Sequence, residues 1–361
     1  MRAERPPASG AASLLACALA LIALLASRVL GQEALLHPEE THLKNLRQIT
    51  FGGENAEAYW SPDGKQLIFQ HRGEGVPCDQ EFVVDLATGA RRRVSTGGGR
   101  VTCGYIYAGG KRVLYASTHL DSPDCPPPVD YSKGYVWPMY KGYDIFTSRV
   151  DGSDVKRLTD APGYDAEATV SPDGKTIVFT SVRDGDLEIY TMRPDGMGVT
   201  RLTHEPGYDG GAFFSPDGRR IVYRRDAPKD EAALLRYREQ LGQGLYSPGT
   251  LEIWVMDRDG ANKRQVTRLG AASFAPFFHP DGKRILFSSN HPDPRGRNFD
   301  LWLVSDDGTG LERITSDPTF DGFPMFSPDG RRLAFASNRG AKARGETNVF
   351  VADWVEKPGR R

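Results

Sequence analysis

The stretch 157–203 constrains this chain more than any other, because it ends on the three residues with which it begins. It opens on Arg157-Leu158-Thr159 and closes on Arg201-Leu202-Thr203, so such units can be laid end to end. Inside it lie four short runs, 167–170, 176–181, 187–193 and 199–203, rich in β-branched or aromatic residues and bounded by Gly, Pro or Asp. That pattern predicts four short strands.

The turn between the first two runs is Ser171-Pro172-Asp173-Gly174. Pro172 pre-sets the first corner, Asp173 tolerates the second, and Gly174 takes positive φ without steric cost. Asp195-Gly196 serves the same purpose between the third and fourth runs. Four antiparallel strands per unit, repeated along the chain, predict the blades of a β-propeller.

The turns allow the blades to be counted. Ser61, Ser171, Ser215 and Ser327 head S-P-D-G turns, His279 heads H-P-D-G, and Ala108-Gly109-Gly110-Lys111 takes the turn's place in the second unit. The fold class expected is therefore all-β, a six-bladed propeller with repeat turns at 61, 108, 171, 215, 279 and 327. The last unit ends at 348–354, a third strand. The run 46–50 (L-R-Q-I-T) has the character of a fourth strand but precedes any complete blade. The ring is expected to close by pairing these two, which removes an open edge.

The repeat S-P-D-G-[KR] followed by D-[IL]-[YFW] and then R-[LI]-T resembles the WD40-like Pro-Asp repeat of the TolB-like propellers. That repeat also occurs in the propeller domains of tricorn-type and prolyl-oligopeptidase-type proteases. Matching stretches run from Leu46 to Trp354. The resemblance implies the fold. It does not carry over the TolB role in the Tol–Pal envelope system, since 32–45 is too short for the α/β domain that precedes the propeller there. Nor does it carry over protease activity, since no hydrolase domain follows Trp354. Oligogalacturonate lyases, related repeat propellers, imply that metal-dependent chemistry is compatible with the scaffold, although no matching metal motif is visible.

Residues 1–31 differ from the rest. Arg2 and Arg5 precede the apolar run 14–26, which is short of the roughly 20 residues of a membrane span. The stretch is read as a secretory signal cleaved after Gly31, with an uncleaved anchor or lipidation at Cys17 as alternatives. Residues 32–361 then form the propeller, periplasmic or secreted, a monomer without stable membrane insertion. Export permits disulfides, and of Cys78, Cys103 and Cys125 the pair Cys78–Cys125 is favoured over pairings with Cys103. The formal net charge of −1 offers no global field for nucleic acid. The basic run Arg91-Arg92-Arg93 is read as a solvated blade edge.

Antiparallel strands sort the loops into two faces. The S-P-D-G turns lie on one. The opposite face gathers the starts of the first strands and two long insertions, 119–142 in blade two and 226–250 in blade four. The second insertion is expected to hold a helix at 230–241, with Leu234, Leu235, Tyr237 and Leu241 along one stripe and Gly242 ending it. Six residues before each turn come Asn55, Thr102, Asp165, Asp209, Ser273 and Asp321, with Glu57 and Glu167 two further along. His71, His119, Arg183, Arg225, His291 and Arg339 end the second strands there, and His204 enters blade four on the same side. His279 belongs to the far face and is read as structural.

This rim is the candidate site. Asp165, Asp209 and Asp321 are expected to orient a polar or cationic group, and Tyr131, Tyr135, Trp137 and Tyr140 of the first insertion to anchor a ligand. The same residues also suit a hydrated funnel in which Asp and Arg satisfy one another. No G-x-S-x-G elbow or phosphate loop is present. The function expected is a non-catalytic module that binds an envelope or extracellular protein, peptide or glycan, without a cofactor. The alternative is a metal-assisted lyase or hydrolase using the His/Asp rim, with a divalent metal at the channel mouth.

Overall fold

The computed structural model describes residues 35–132 and 134–356, so the signal reading of 1–31 lies outside the described residues. Six four-stranded antiparallel sheets succeed one another along the chain, with one two-stranded ribbon besides. The first strands of the sheets are Glu54–Trp60, Val101–Tyr107, Asp165–Val170, Tyr208–Phe214, Ser273–Phe278 and Asp321–Phe326. Each contacts the first strand of the next blade, and the sixth contacts the first, so these strands form the inner wall of a ring.

The repeat residues act locally. In four of the turns the Ser Oγ donates to the Asp Oδ1 two residues on, at 2.5–2.6 Å. That Oδ1 also accepts the backbone N–H two residues further, at 3.1 Å. The glycine closes the turn onto the Ser carbonyl at 2.8–2.9 Å, with φ between 67° and 71°. These bonds to Ser Oγ, assisted by the backbone N–H, hold the four Asp carboxyls below the usual range. His279 fits the structural reading: it is buried, and its Nδ1 accepts from Asp281 N at 3.2 Å. In blade two the turn is headed by Tyr107, one residue earlier than expected, and tightens into a single 3-10 turn, Ala108–Gly110.

The threonine of R-L-T has a second task. Thr159, Thr203, Thr267 and Thr315 each accept, through Oγ1, the N–H of a residue in their own blade's third strand at 2.8–2.9 Å. Ser95 does this in blade one at 3.1 Å. Thr50 does it for Val349 at 2.8 Å, although the two lie at opposite ends of the chain. The strand that precedes Thr50 is Leu43–Gln48, beginning three residues earlier than the sequence suggests, and it pairs antiparallel with Asn348–Trp354. Trp60 Nε1 donates to Met325 O at 3.0 Å, and Arg332 Nη2 to Gly64 O at 2.8 Å, which fastens blade one to blade six.

The helix α1 runs Glu231–Gly242, and its N-cap Asp230 accepts from Ala233 N at 2.7 Å. Tyr237 and Leu241 are buried as expected, but Leu235 is 60% exposed, so the buried stripe is narrower than predicted. Gly242 belongs to the helix, and the residue that turns the chain with positive φ is Gly244.

Blade six has a second lock. Arg339 is fully buried and bonds both oxygens of Glu40, at 2.9 and 3.0 Å, and Asp321 Oδ2 at 2.8 Å. A buried cation stripped of one partner is costly. Glu40→Ala should therefore lower the unfolding free energy by about 3 kcal/mol, read by chemical denaturation. A loss below about 1 kcal/mol would mean that Asp321 alone satisfies Arg339.

Candidate functional site

Each first strand carries a β-bulge at the same place, between the third and sixth residue of the pairing register in blade one (Ala56/Tyr59) and at its counterpart in the other five. One residue per bulge has positive φ: Glu57 (52°), Cys103 (57°), Glu167 (57°), Gly211 (60°), Ala275 (49°) and Phe323 (55°). Five of these are not glycine, and left-handed backbone at such residues is strained. All six line one cavity of about 990 Å³. The bulges thus aim one side chain per blade into the channel.

Those side chains divide the cavity. Blades one to three contribute Glu57, Cys103 and Glu167, while blades four to six contribute Gly211, Ala275 and Phe323. Around Phe323 the rings of Phe274, Phe299 and Phe320 form an aromatic wall, with centroid separations of 5.2–6.4 Å.

Glu167 is fully engaged. It accepts from Thr180 Oγ1 at 2.6 Å, Tyr208 OH at 2.9 Å and Gly211 N at 2.9 Å, and it pairs with Arg224. Burial works against the charge on Arg224, but Glu167 and Tyr208 outweigh it and hold the guanidinium above its usual range. Gly210 and Gly211 are small for a reason. A Cβ on Gly211 would sit 2.5 Å from Arg224 Nη1, and one on Gly210 would sit 2.6 Å from Glu167 Oε2.

Glu57 differs. It is half-buried and faces the cavity, and among the described residues it has no ion-pair partner. Burial, and then Glu167 beyond the bond from Cys103, push its carboxyl up to about 7. Burial and Glu57 in turn drive the Cys103 thiol well above its ordinary value.

The two insertions roof this cavity together. Trp137–Pro138 of the first pairs antiparallel with Leu245–Tyr246 of the second, and Met139 N bonds Gly244 O at 2.8 Å. Trp137 packs 5.5 Å from Tyr246 and lies under Arg224, 5.1 Å from the guanidinium carbon. Tyr237 of α1 donates to Gly207 O at 3.0 Å and to Asp186, tying the helix to blades three and four. The first insertion is also bonded to blade one through the Cys78–Cys125 disulfide, with Cα atoms 5.6 Å apart, and Cys103 is free.

The rim residues read from sequence separate into two groups. Glu57, Glu167, Tyr135 and Trp137 line the cavity, as does Tyr131, on which Tyr135 stacks at 6.2 Å. Asp165, Asp209 and Asp321 do not reach it. They are buried against Arg183 (3.0 Å), Arg225 (2.7 Å) and Arg339 (2.8 Å), joining first and second strands of their own blades. Burial, opposed by these arginines, raises all three carboxyls, Asp321 to about 6. They are structural ion pairs, and the charge expected of them at the mouth is taken up by these arginines.

The histidines are not brought together either. His71 bonds Asn55 Oδ1 at 2.9 Å, His119 bonds Ser117 Oγ at 2.8 Å, His291 packs on Trp302 at 5.3 Å, and His204 is exposed. Burial lowers the pKa of His71 and His119. Tyr140 bonds Pro127 O at 3.2 Å within its own insertion. Among the described residues no three of His, Cys, Asp and Glu are grouped to hold a metal ion. Sequence reasoning misses Cys103, Arg224, Gly211, Ala275 and Phe323. For the four bulge residues the available signal is a place four residues before each turn, hidden in blade two by the one-residue offset of the turn. Arg224 carries no such mark.

Two outcomes follow from this arrangement. Since the folded carboxyl of Glu57 stays protonated up to about pH 7, the folded state keeps a proton that the unfolded chain releases. Its contribution is present below about pH 4.5 and is lost as pH rises toward 7. Glu57→Gln should therefore raise the melting temperature at pH 8 and leave it nearly unchanged at pH 5; an equal shift at both pH values would contradict the assignment. The disulfide closes a 47-residue separation, for which chain entropy gives on the order of 4 kcal/mol. Cys125→Ser should lower stability and speed proteolysis within 119–142, and a cleavage rate matching wild type would show that the ribbon alone holds the roof.

Comparison with known proteins agrees with this architecture. Residues 139–239 match the family described as TolB beta propeller domain. A TolB from Acinetobacter baumannii aligns at 20% identity and a TM-score of 0.53, over 73% of this chain and 55% of that one. The chain thus spans about half the length of that TolB. An oligogalacturonate lyase in complex with manganese aligns at 17% identity, covering 86% of this chain and 80% of that one, with a TM-score of 0.52. A gluconolactonase from Xanthomonas campestris aligns at 14%, covering 87% and 91%, with a TM-score of 0.57. At these identities the likeness is one of fold. No curated protein matches the chain, and among the described residues no helix is long and apolar enough to cross a membrane. By its repeat and its architecture, the chain is a six-bladed β-propeller, in which residues 139–239 resemble the TolB beta propeller domain.

Proposed function

We propose that this propeller is an exported binding protein that takes a ligand, a segment of protein, a peptide or a glycan, into the roofed cavity at its channel mouth. The observation that carries this reading is the cavity itself: about 990 Å³, lined by one bulge residue from every blade and roofed by both insertions. Concave, largely apolar space with a few convergent polar groups is the usual form of a ligand site. The strain held at five non-glycine positions around it is of the kind found at functional sites. The Cys78–Cys125 bond supports an oxidising compartment.

A second reading has one specific observation in its favour. A carboxyl pushed up to about 7 within a cavity suits general acid–base work, and two of the similar folds belong to enzymes, a lyase and a gluconolactonase. In that reading Glu57 is the proton carrier. Among the described residues no nucleophile is engaged beside it, and the Cys103 thiol is held protonated, so binding is the better supported of the two.

The test fills the cavity without touching its charges. Phe occupies the sixth blade's bulge position as Phe323, so Ala275→Phe places a side chain that this backbone accepts. Fractionated envelope extract passed over the immobilised protein, with retained species read by native mass spectrometry, should yield a species that binds wild type and not the variant. Retention of the same species by Ala275→Phe, folded and equally stable, would move the site elsewhere.

A further inference from the structure

Resting on the reading that the cavity is a ligand site, we infer that the group received at its floor is a primary ammonium carried on an apolar stem, and that Glu57 is the carboxylate that receives it. The argument starts from the charges that line the cavity: Glu57, Asp79, Glu167, Arg100, Arg224 and Arg297. Two pairs cancel internally. Asp79 meets Arg100 at 3.3 Å, and Glu167 meets Arg224. Arg297 is exposed, where water screens its charge. Glu57 remains, lining the cavity beside Cys103 and without an ion-pair partner among the described residues.

Each class of ligand head group answers this arrangement differently. Once Glu57 is ionised, above about pH 7, it repels an anion. A neutral polyol leaves its charge unmatched in a site where charge is costly to bury. A metal ion finds one carboxylate and one protonated thiol, short of a ligand set. An ammonium supplies the missing charge and up to three donors. The neighbouring bulge position on the blade-six side is Phe323, backed by Phe274, Phe299 and Phe320. Ring faces there favour a nearby cation, and the wall gives an apolar stem a surface on which to lie. Gly211 and Ala275, the two smallest bulge residues, leave the room for it.

The pH dependence follows from the groups around Glu57. Glu167, Arg224 and Asp79 act on it through space, the Cys103 thiol bonds it, and Tyr59 and Glu81 of its own blade lie within its field. Burial leaves the empty site's carboxyl near 7. An ammonium draws that value down, so binding expels a proton below neutrality and tightens as pH rises.

Dansylcadaverine, a fluorophore on a five-carbon amine, and its N-acetylated form test this on the full mature chain. The amine should give saturable, blue-shifted fluorescence, bind at least tenfold more tightly than the acetylated probe, and tighten severalfold from pH 6 to pH 8. Glu57→Gln should lose about tenfold in affinity and the pH dependence together. The comparison of the two probes on wild type stands even if the variant folds poorly. Equal binding of the acetylated probe, or no saturable binding of either, overturns the ammonium assignment. Neither result touches the cavity reading, which fails separately if the endogenous species is retained by Ala275→Phe.

Discussion

The site in this molecule depends on one backbone event, repeated six times. A residue in the left-handed region interrupts each first strand and turns its side chain into the channel. A regular strand would alternate its residues between the two faces of the blade, where the neighbouring blades cover them. The bulge breaks that alternation at one point and spends strain to do so, of order 1–3 kcal/mol at a non-glycine residue. Such strain persists only where the surroundings over-determine it. Here they do: the strand on either side of each bulge is paired, and the first strands of adjoining blades hold one another.

The repeat chemistry provides that surrounding rigidity and is what makes the fold readable. S-P-D-G and R-L-T form bonds within their own blade, so their signal survives in any single unit, and six turns can be counted from the residues alone. The pairing of chain ends is legible for the same reason, since 46–50 carries the repeat's character out of place. Thr50 reaches across to Val349 as its counterparts reach within their blades. What the sequence does not convey is which rim acids face the channel. Asp165 and Glu167 are two residues apart and would share a strand face by simple alternation. The bulge between them sends Glu167 into the cavity and leaves Asp165 paired with Arg183. The same slip separates Asp209 from Gly211 and Asp321 from Phe323.

The roof is half legible. Strand direction alone assigns both insertions to one face. Their pairing with each other, Trp137–Pro138 against Leu245–Tyr246, joins segments more than a hundred residues apart through two short strands. No local pattern marks so short a ribbon, and its register is set by tertiary contacts: Trp137 against Tyr246 and Arg224, and α1 against Asp186 and Gly207. The Cys78–Cys125 bond holds the other end of the first insertion to blade one. The roof is thus fixed at blade one, blade three and blade four, while blades five and six contribute Arg297, Phe299 and Phe320 to the cavity lining.

The two glutamates at the floor show how one scaffold position takes different roles through its neighbours. Glu57 and Glu167 occupy equivalent bulges with nearly the same φ, 52° and 57°. Glu167 has a glycine pair on the next blade, and that gap lets Arg224 cross to it with Tyr208 alongside. Next to Glu57 stands Cys103 instead, whose side chain fills the equivalent space and offers a weak donor and no charge. One carboxylate is therefore built into the wall, and the other faces the cavity without an ion-pair partner among the described residues. A structure selected for stability alone would have no use for the second, since an unpartnered carboxyl in enclosed space only costs free energy. Its place beside the aromatic wall and beneath the roof is the geometry that the proposed ligand would complete.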